Sequence, residues 1–384
     1  MSTLLRYLQN TIKSDLKEKM VFLGGPRQVG KTTFSQTLLK NYKDHHPAYL
    51  NWDDLNDRKI ILSGLWPSNE KLIILDEIHK FRNWRSLIKG FFDKLKNSHQ
   101  FLVTGSARLD HYRKGGDSLL GRYYYYRMHP LSLAELCSVH LSVKDKLNHL
   151  NLLLQFGGFP EPFFKKDPIF LKRWHRQRQE RIVYNDVRDL ENVKEISNIE
   201  LLMSALPARV GSILSRKNLA QELEVDFKTA ERWVSILENV YYCYRISPYG
   251  APKIRAVKKE QKVYLWDWSE LEDIGPKWEN LVASHLLKYC HYLEDTTGDK
   301  MELRFLRDFD GREVDFVVLK NKKPLFAVEC KTGEKQASPH LKYFSDRTQI
   351  PKFYQVHLGT KSYFVTDKIQ VLPFSEFCLK ENLV

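Results

Sequence analysis

The sequence predicts an α/β protein built as several domains in series, and three observations predict it. Short apolar runs alternate with amphipathic helical stretches over residues 1–135, the pattern of a parallel sheet with crossover helices. A helix-turn-helix rhythm followed by aromatic strands fills residues 197–268, after a helical linker or lid at 136–196. Beyond the Gly275-Pro276 break a different α/β unit occupies residues 276–384. A chain of 384 residues is long enough for two or three cores, and its apolar fraction of 42% excludes wholesale disorder.

Composition also narrows the function. Lys and Arg number 61 against 47 Asp and Glu, so the net charge is +14 and an acidic partner such as nucleic acid is expected, DNA foremost. The longest apolar runs, such as KLIILDEI, fall far short of the ~20 residues of a membrane span. The first twenty residues contain no signal-peptide core. Five cysteines with no close pair give neither a disulfide framework nor a zinc knuckle. The expectation is a cytoplasmic protein without a membrane partner.

Within the first domain, the apolar run MVFLG at 20–24 leads into Gly25-Pro26-Arg27-Gln28-Val29-Gly30-Lys31-Thr32, and helical TTFSQTLLKNY follows. This is G-x-x-x-x-G-K-[ST] between a strand and a helix, the setting its chemistry needs. Gly25 and Gly30 let backbone N–H groups close around phosphate oxygens at a helix N-terminus. Lys31 is expected to reach the β- and γ-phosphates of ATP and Thr32 to ligate Mg²⁺, with Thr33 completing the nucleotide contact. A second strand, LIIL at 72–75, ends in Asp76-Glu77. Asp76 suits the magnesium shell and Glu77 suits polarising the attacking water.

The next strand ends FLVTGSAR, which sets Ser106, with Thr104 as the alternative, beside the γ-phosphate. Here the chain resembles the AAA+ ATPases, in which a polar residue at this strand end senses that phosphate. The resemblance also implies an arginine finger, placed at Arg122 ahead of Arg127, and a finger supplied by a neighbouring copy implies a homo-oligomer.

In the middle part, LAQELE reads as a short helix, Asp226 as an N-cap, and the next helix buries Ala230, Trp233, Ile236, Leu237 and Val240. Lys228 and Arg232 then fall at i and i+4 on the outer face, where a recognition helix meets DNA. The following hairpin holds Lys253, Arg255, Lys258, Lys259 and Lys262 against the single acid Glu260, as a basic wing of a winged helix would. Upstream, Lys172, Arg173, His175, Arg176, Arg178 and Arg181 surround a helix too evenly to choose between a solvated linker and a DNA contact.

The last hundred residues read helix, three strands, helix, strand. Alternation puts Val314, Phe316 and Val318 on one face and Glu313 and Asp315 on the other. In the next strand Phe326, Val328 and Cys330 oppose Glu329 and Lys331. Asp315, Glu329 and Lys331 should therefore meet, with Glu279 on the preceding helix a fourth member, in a set suited to Mg²⁺ or Mn²⁺. This D…E-x-K arrangement resembles the restriction-endonuclease-like nucleases, which implies a catalytic role for Asp315, Glu329 and Lys331.

Along nearly its whole length the chain resembles the predicted bacterial and archaeal AAA+ ATPases with a C-terminal domain of unknown function. The matching segments are GGPRQVGKTT, LIILDEIHK, TGSAR, the GR before PLSLAEL, RVGSILS, WDWSELEDIG, WENLVASHL and GREVDF…VECKTG. The resemblance implies ATP and Mg²⁺ binding, slow hydrolysis and a DNA-directed or partner-directed C-terminal half. The expectation is an ATP-hydrolysing DNA-binding protein with a candidate metal-dependent nuclease site. The alternative is a nucleotide-dependent switch that docks a protein partner on an inactive nuclease-like scaffold.

Overall fold

Strand β1 (Met20–Gly24) is buried along its whole length, as is β3 (Leu72–Asp76). Continuous burial of this kind is what a parallel strand covered on both faces requires, and it explains their unbroken apolar character. The computed structural model describes residues 4–40, 46–67, 69–105, 119–137, 141–187, 196–250 and 260–384. Two units result, Met1–Pro130 and Leu131–Val384.

In the first unit, helices α1 (Gln9–Asp15), α2 (Lys31–Gln36), α3 (Leu55–Ser63) and α4 (Trp84–Leu95) accompany β1, β3 and three further strands. These are β2 (Tyr49–Asn51), β4 (Gln100–Thr104) and β5 (Tyr123–Arg127). The sheet order is β2-β3-β4-β1-β5 and every pairing is parallel. Leaving β1, the chain passes over β4 and β3 to reach β2 at the far edge. The β1-to-α2 turn therefore opens at the carboxyl ends of the strands, the usual ligand position in such sheets. Asp54 caps α3 by accepting from the amides of Asn56 and Asp57, which fixes where β2 ends and the helix begins.

The second unit opens with helices α5 (Leu133–Leu136), α6 (Val143–Phe156), α7 (Pro160–Lys165) and α8 (Pro168–Arg181), the last running into a π-helical turn at Ile182–Val187. Helix α8 is two-sided. Lys172, Arg173, Arg176 and Arg181 are exposed, whereas Arg178 is buried, 3.0 Å from Glu270 and stacked on Phe159. Its neighbour His175 bonds Ser269 at 2.9 Å. Helices α9 (Ile196–Ala205), α10 (Arg216–Glu222) and α11 (Phe227–Asn239) follow. Asp226 accepts from the amides of Lys228 and Thr229, so α11 starts where its cap dictates.

Strands β6 (Cys243–Pro248) and β7 (Lys262–Leu265) precede the long α12 (Ile274–Thr297). The remaining elements are β8 (Met301–Arg307), β9 (Glu313–Lys320), β10 (Lys323–Cys330), α13 (Pro339–Ser345), β11 (Phe353–His357), β12 (Tyr363–Thr366), β13 (Ile369–Pro373) and α14 (Phe374–Lys380). One eight-stranded mixed sheet results, ordered β12-β13-β11-β10-β9-β8-β6-β7. The β9–β10 turn places Asn321 and Lys322 both at positive φ (51° and 67°), the geometry of a tight hairpin.

The two strands read from the sequence as part of the middle segment thus extend the C-terminal sheet, β6 pairing in parallel with β8. Asn280 of α12 closes the outer edge. Its side-chain amide accepts from Leu265 N and donates to Leu265 O, both at 2.8 Å, in the manner of a neighbouring strand. Among the described residues, no helix is long and apolar enough to cross a membrane.

Candidate functional site

The loop after β1 is shaped by its glycines. Gly25 has φ +134°, and a Cβ there would collide with the carbonyl oxygen of Met128; Gly30 has φ +95°. Lys31, at the first position of α2, is buried, and its ammonium donates to the carbonyl oxygens of Gly25 (2.9 Å) and Pro26 (2.7 Å). Thr32 and Thr33 are exposed beside it. Thr32 Oγ1 donates to Asp76 Oδ2 at 3.1 Å, so the loop hydroxyl and the strand-end carboxylate meet as the motifs require.

Asp76 accepts two further hydroxyls. Thr104, its register neighbour on β4, donates to Oδ1 at 2.5 Å, and Tyr49 of β2 donates to Oδ2 at 2.5 Å. Burial, then the charge of Asp76, pushes the Tyr49 phenol well above its ordinary value and keeps it a donor. Thr104, the alternative to Ser106 beside the γ-phosphate, is therefore buried and committed to Asp76. Ser106 lies outside the described residues. No spacing in the sequence ties Tyr49 to Asp76; the only signal is its place on a strand that must pair with β3.

Glu77 sits in the left-handed region, φ 57°, with its amide bonded to Thr104 O. Its carboxylate lies 3.4 Å from Lys80 and 3.6 Å from His79, and Lys80 in turn meets Asp53 at 2.5 Å. Burial raises the Glu77 pKa, Asp76 adds to the effect, and Lys80 opposes it. A carboxylate so raised is a better proton acceptor than an ordinary surface glutamate. Arg122 makes a two-pronged pair with Asp93 of α4, at 2.8 and 3.2 Å. Thr32 and Asp76 fit a magnesium ion, which takes one or two protein oxygens and completes its shell from phosphate and water. ATP and Mg²⁺ are the cofactors this chemistry suits.

A second acidic site stands in the other unit. The β9–β10 register pairs Ala327 with Val317 and Val328 with Phe316, so the next step sets Glu329 opposite Asp315. Cys330 N donates to Asp315 Oδ2 at 2.7 Å, and Lys331 Nζ to Glu329 Oε1 at 2.7 Å. Glu279 accepts from the Tyr264 hydroxyl at 2.7 Å and lies 3.4 Å from Lys262. The structure therefore brings Glu279, Asp315, Glu329 and Lys331 together. Burial raises the pKa of all three acids, Glu279 to about 7 and Glu329 to about 8, and the charge of Asp315 adds to it for both glutamates.

One expectation changes here. Lys262, expected on an exposed basic wing, is 1% exposed and paired with Glu279 and Glu313. Its burial follows from β7, which lies between β6 and the segment that bridges Val210 to Val263 and Ile213 to Lys262. Burial opposes its charge, but Glu279, Asp315 and Glu313 outweigh that and raise its pKa. The metal expectation at this site was Mg²⁺ or Mn²⁺ on Asp315, Glu329 and Glu279. Among the described residues, no three His, Cys, Asp or Glu side chains form a set able to hold a metal ion. Lys262 and Lys331 lie among these acids, and Glu329 Oε2 is buried without a hydrogen-bond partner.

Of the expected nucleic-acid contacts, Lys228 and Arg232 are exposed on α11, opposite its buried Ala230, Trp233, Ile236 and Leu237. Lys253, Arg255, Lys258 and Lys259 lie outside the described residues.

Residues 17–137 match the family model of an AAA domain. Residues 147–271 and 274–377 each match a domain of unknown function (DUF8612 and DUF4143). An uncharacterised protein of Methanocaldococcus jannaschii is 24% identical over 95% of this chain and 89% of its own length. An uncharacterised protein of Mycobacterium tuberculosis is 24% identical over 79% of this chain and 71% of its own. Among solved structures, the Thermotoga maritima RuvB Holliday junction branch migration motor aligns at 14% identity. It covers 62% of this chain and 87% of that one, with a TM-score of 0.30. The Aeropyrum pernix Orc1 protein in complex with DNA aligns at 12%, covering 73% and 93%, with a TM-score of 0.33. Likeness at that level transfers no activity. Residues 17–137 are thus similar to an AAA domain, a likeness that the phosphate loop and the strand order agree with, and the other two regions are akin to families without an assigned role.

Proposed function

We propose that the protein binds ATP with Mg²⁺ in its first unit, hydrolyses it slowly, and couples that cycle to DNA held by its second unit. The observation that carries the proposal is the 3.1 Å hydrogen bond from Thr32 to Asp76, beside a Lys31 ammonium enclosed by the loop. Lys31 binds phosphate oxygens, Thr32 and Asp76 hold the cation, and Glu77 accepts a proton from, or orients, the attacking water. Mg²⁺ supplies charge neutralisation on the phosphates. Arg122 would act as a finger only after leaving Asp93, which an acidic phosphate chain of a neighbouring copy can outcompete. The net charge of +14 and the exposed Lys228 and Arg232 support DNA as the partner.

The test is ATP turnover with and without duplex and single-stranded DNA, across a salt series. The proposal expects turnover to rise with DNA and binding to weaken steeply with salt; salt-insensitive binding, or none, removes DNA from the account. A specific observation favours a second reading for the C-terminal site. Each acid of the cluster has an internal partner on one oxygen, which suits a scaffold in a nucleotide-dependent switch that docks a protein partner. In that case Lys31→Ala abolishes partner capture while DNA leaves turnover unchanged. Metal-dependent cleavage lost in Asp315→Ala yet kept in Lys31→Ala would instead establish a nuclease.

A further inference from the structure

Asp76 accepts three hydroxyl groups, and they do different work. Thr104 comes from the adjacent central strand and holds Oδ1. Thr32 comes from the phosphate loop and reaches Oδ2. Tyr49 comes from the edge strand β2 and reaches the same Oδ2. Its backbone is in register with Ile74, two residues behind Asp76, so the phenol spans roughly 6.6 Å of strand to arrive there.

The site's task gives that reach a meaning. A threonine hydroxyl that offers its oxygen to a cation must aim its proton elsewhere, and Asp76 Oδ2 is the acceptor in place. If the carboxylate rotates, the hydroxyl turns with it and the cation loses an oxygen. Thr104 fixes one oxygen; a second donor on the other oxygen fixes the plane. Tyr49 stands outside the loop, so it holds Oδ2 in position whichever way Thr32 turns.

We infer that Tyr49 is a positioning residue for the magnesium site, orienting Asp76 so that metal and nucleotide bind together. The inference rests on the ATP-binding proposal. It gives Tyr49 no direct contact with nucleotide, so its loss should weaken the metal dependence of binding and spare the metal-free component.

The experiment is a titration of the full chain with a fluorescent ATP analogue, first in EDTA and then at rising Mg²⁺. Wild type, Tyr49→Phe and Tyr49→Leu are compared, each with a thermal melt. In EDTA all three should bind the analogue alike. The Mg²⁺ concentration giving half of the metal-dependent gain should rise about tenfold in both variants, the scale expected for loss of one hydrogen bond to a charged group. An unchanged or lower Mg²⁺ requirement in Tyr49→Phe overturns the inference. A shift seen with leucine and not with phenylalanine also overturns it, since ring packing and not the hydroxyl would then be responsible. Wild type that binds no analogue overturns the ATP proposal and this inference together. Wild type that binds with Mg²⁺ and a Tyr49→Phe indistinguishable from it overturns this inference alone.

Discussion

Two acidic sites, one in each unit, look alike in sequence and differ in how their charge is balanced. At the end of β3, Asp76 is surrounded by hydroxyls from Thr32, Tyr49 and Thr104. Between β9 and β10, the acids face ammonium groups: Glu329 meets Lys331, and Glu279 and Glu313 meet Lys262. A hydroxyl orients a carboxylate without cancelling its charge, so Asp76 keeps its attraction for a cation. Lys262 is buried and Lys331 half-buried, and burial raises the pKa of the acids they meet. The first carboxylate is oriented by hydroxyls, while the second cluster mixes acids of raised pKa with two lysines.

The largest effect that could break this contrast is in the first site. Lys31→Ala should lower ATP hydrolysis by about 100-fold or more, since it removes the charge aimed at the phosphates. A steady-state phosphate-release assay measures it, and near-normal turnover would mean the loop is not the nucleotide site.

Next comes the second site's internal cation. Lys262→Met leaves half-buried Glu279 without its ammonium partner and Glu313 with Arg307 alone, and should cost about 1–3 kcal/mol of stability, read from denaturant unfolding. No measurable loss would show that these acids never relied on Lys262.

A third effect turns on pH. Glu329 titrates near 8 when folded against 4.5 when free, so folding favours its protonated form. Its contribution is fully present below about pH 4.5 and is lost as pH rises through about 8. Glu329→Gln keeps the neutral form at every pH. It should leave stability unchanged at pH 4 and raise it by about 2 kcal/mol at pH 9, read as melting temperature along a pH series. A variant destabilised at pH 9 would mean that the Lys331 pair outweighs burial.

The smallest effect is on the exposed surface. Lys228→Ala and Arg232→Ala should each weaken DNA binding a few-fold and flatten the salt dependence by about one unit of slope, measured by anisotropy. Unchanged slopes would move the DNA site off α11.

How far the sequence revealed these sites depended on whether contacts were local. Gly25 to Thr32 is one continuous turn, and Asp76-Glu77 ends an apolar strand, so both were legible from order alone. Strand alternation sufficed to bring Asp315, Glu329 and Lys331 together, because a period of two fixes the face. Tyr49 was not legible, for its partner lies 27 residues away on a neighbouring strand. Lys262 was misplaced for a related reason. Among Lys253, Arg255, Lys258 and Lys259 it reads as one more wing charge, and only the pairing of β7 with β6 and the bridge to Ile213 turn it inward. Thr104 and Ser106 share one strand end in the sequence, and the hydrogen bond to Asp76 shows what Thr104 does.

The most direct test of the contrast is calorimetric titration of the full chain with Mn²⁺ as a probe cation, with and without a non-hydrolysable ATP analogue. One cation should bind, only when the analogue is present, and Thr32→Ala should abolish it while Asp315→Ala leaves it intact. A cation that binds without nucleotide and is lost in Asp315→Ala would contradict the account, placing the metal site in the second cluster.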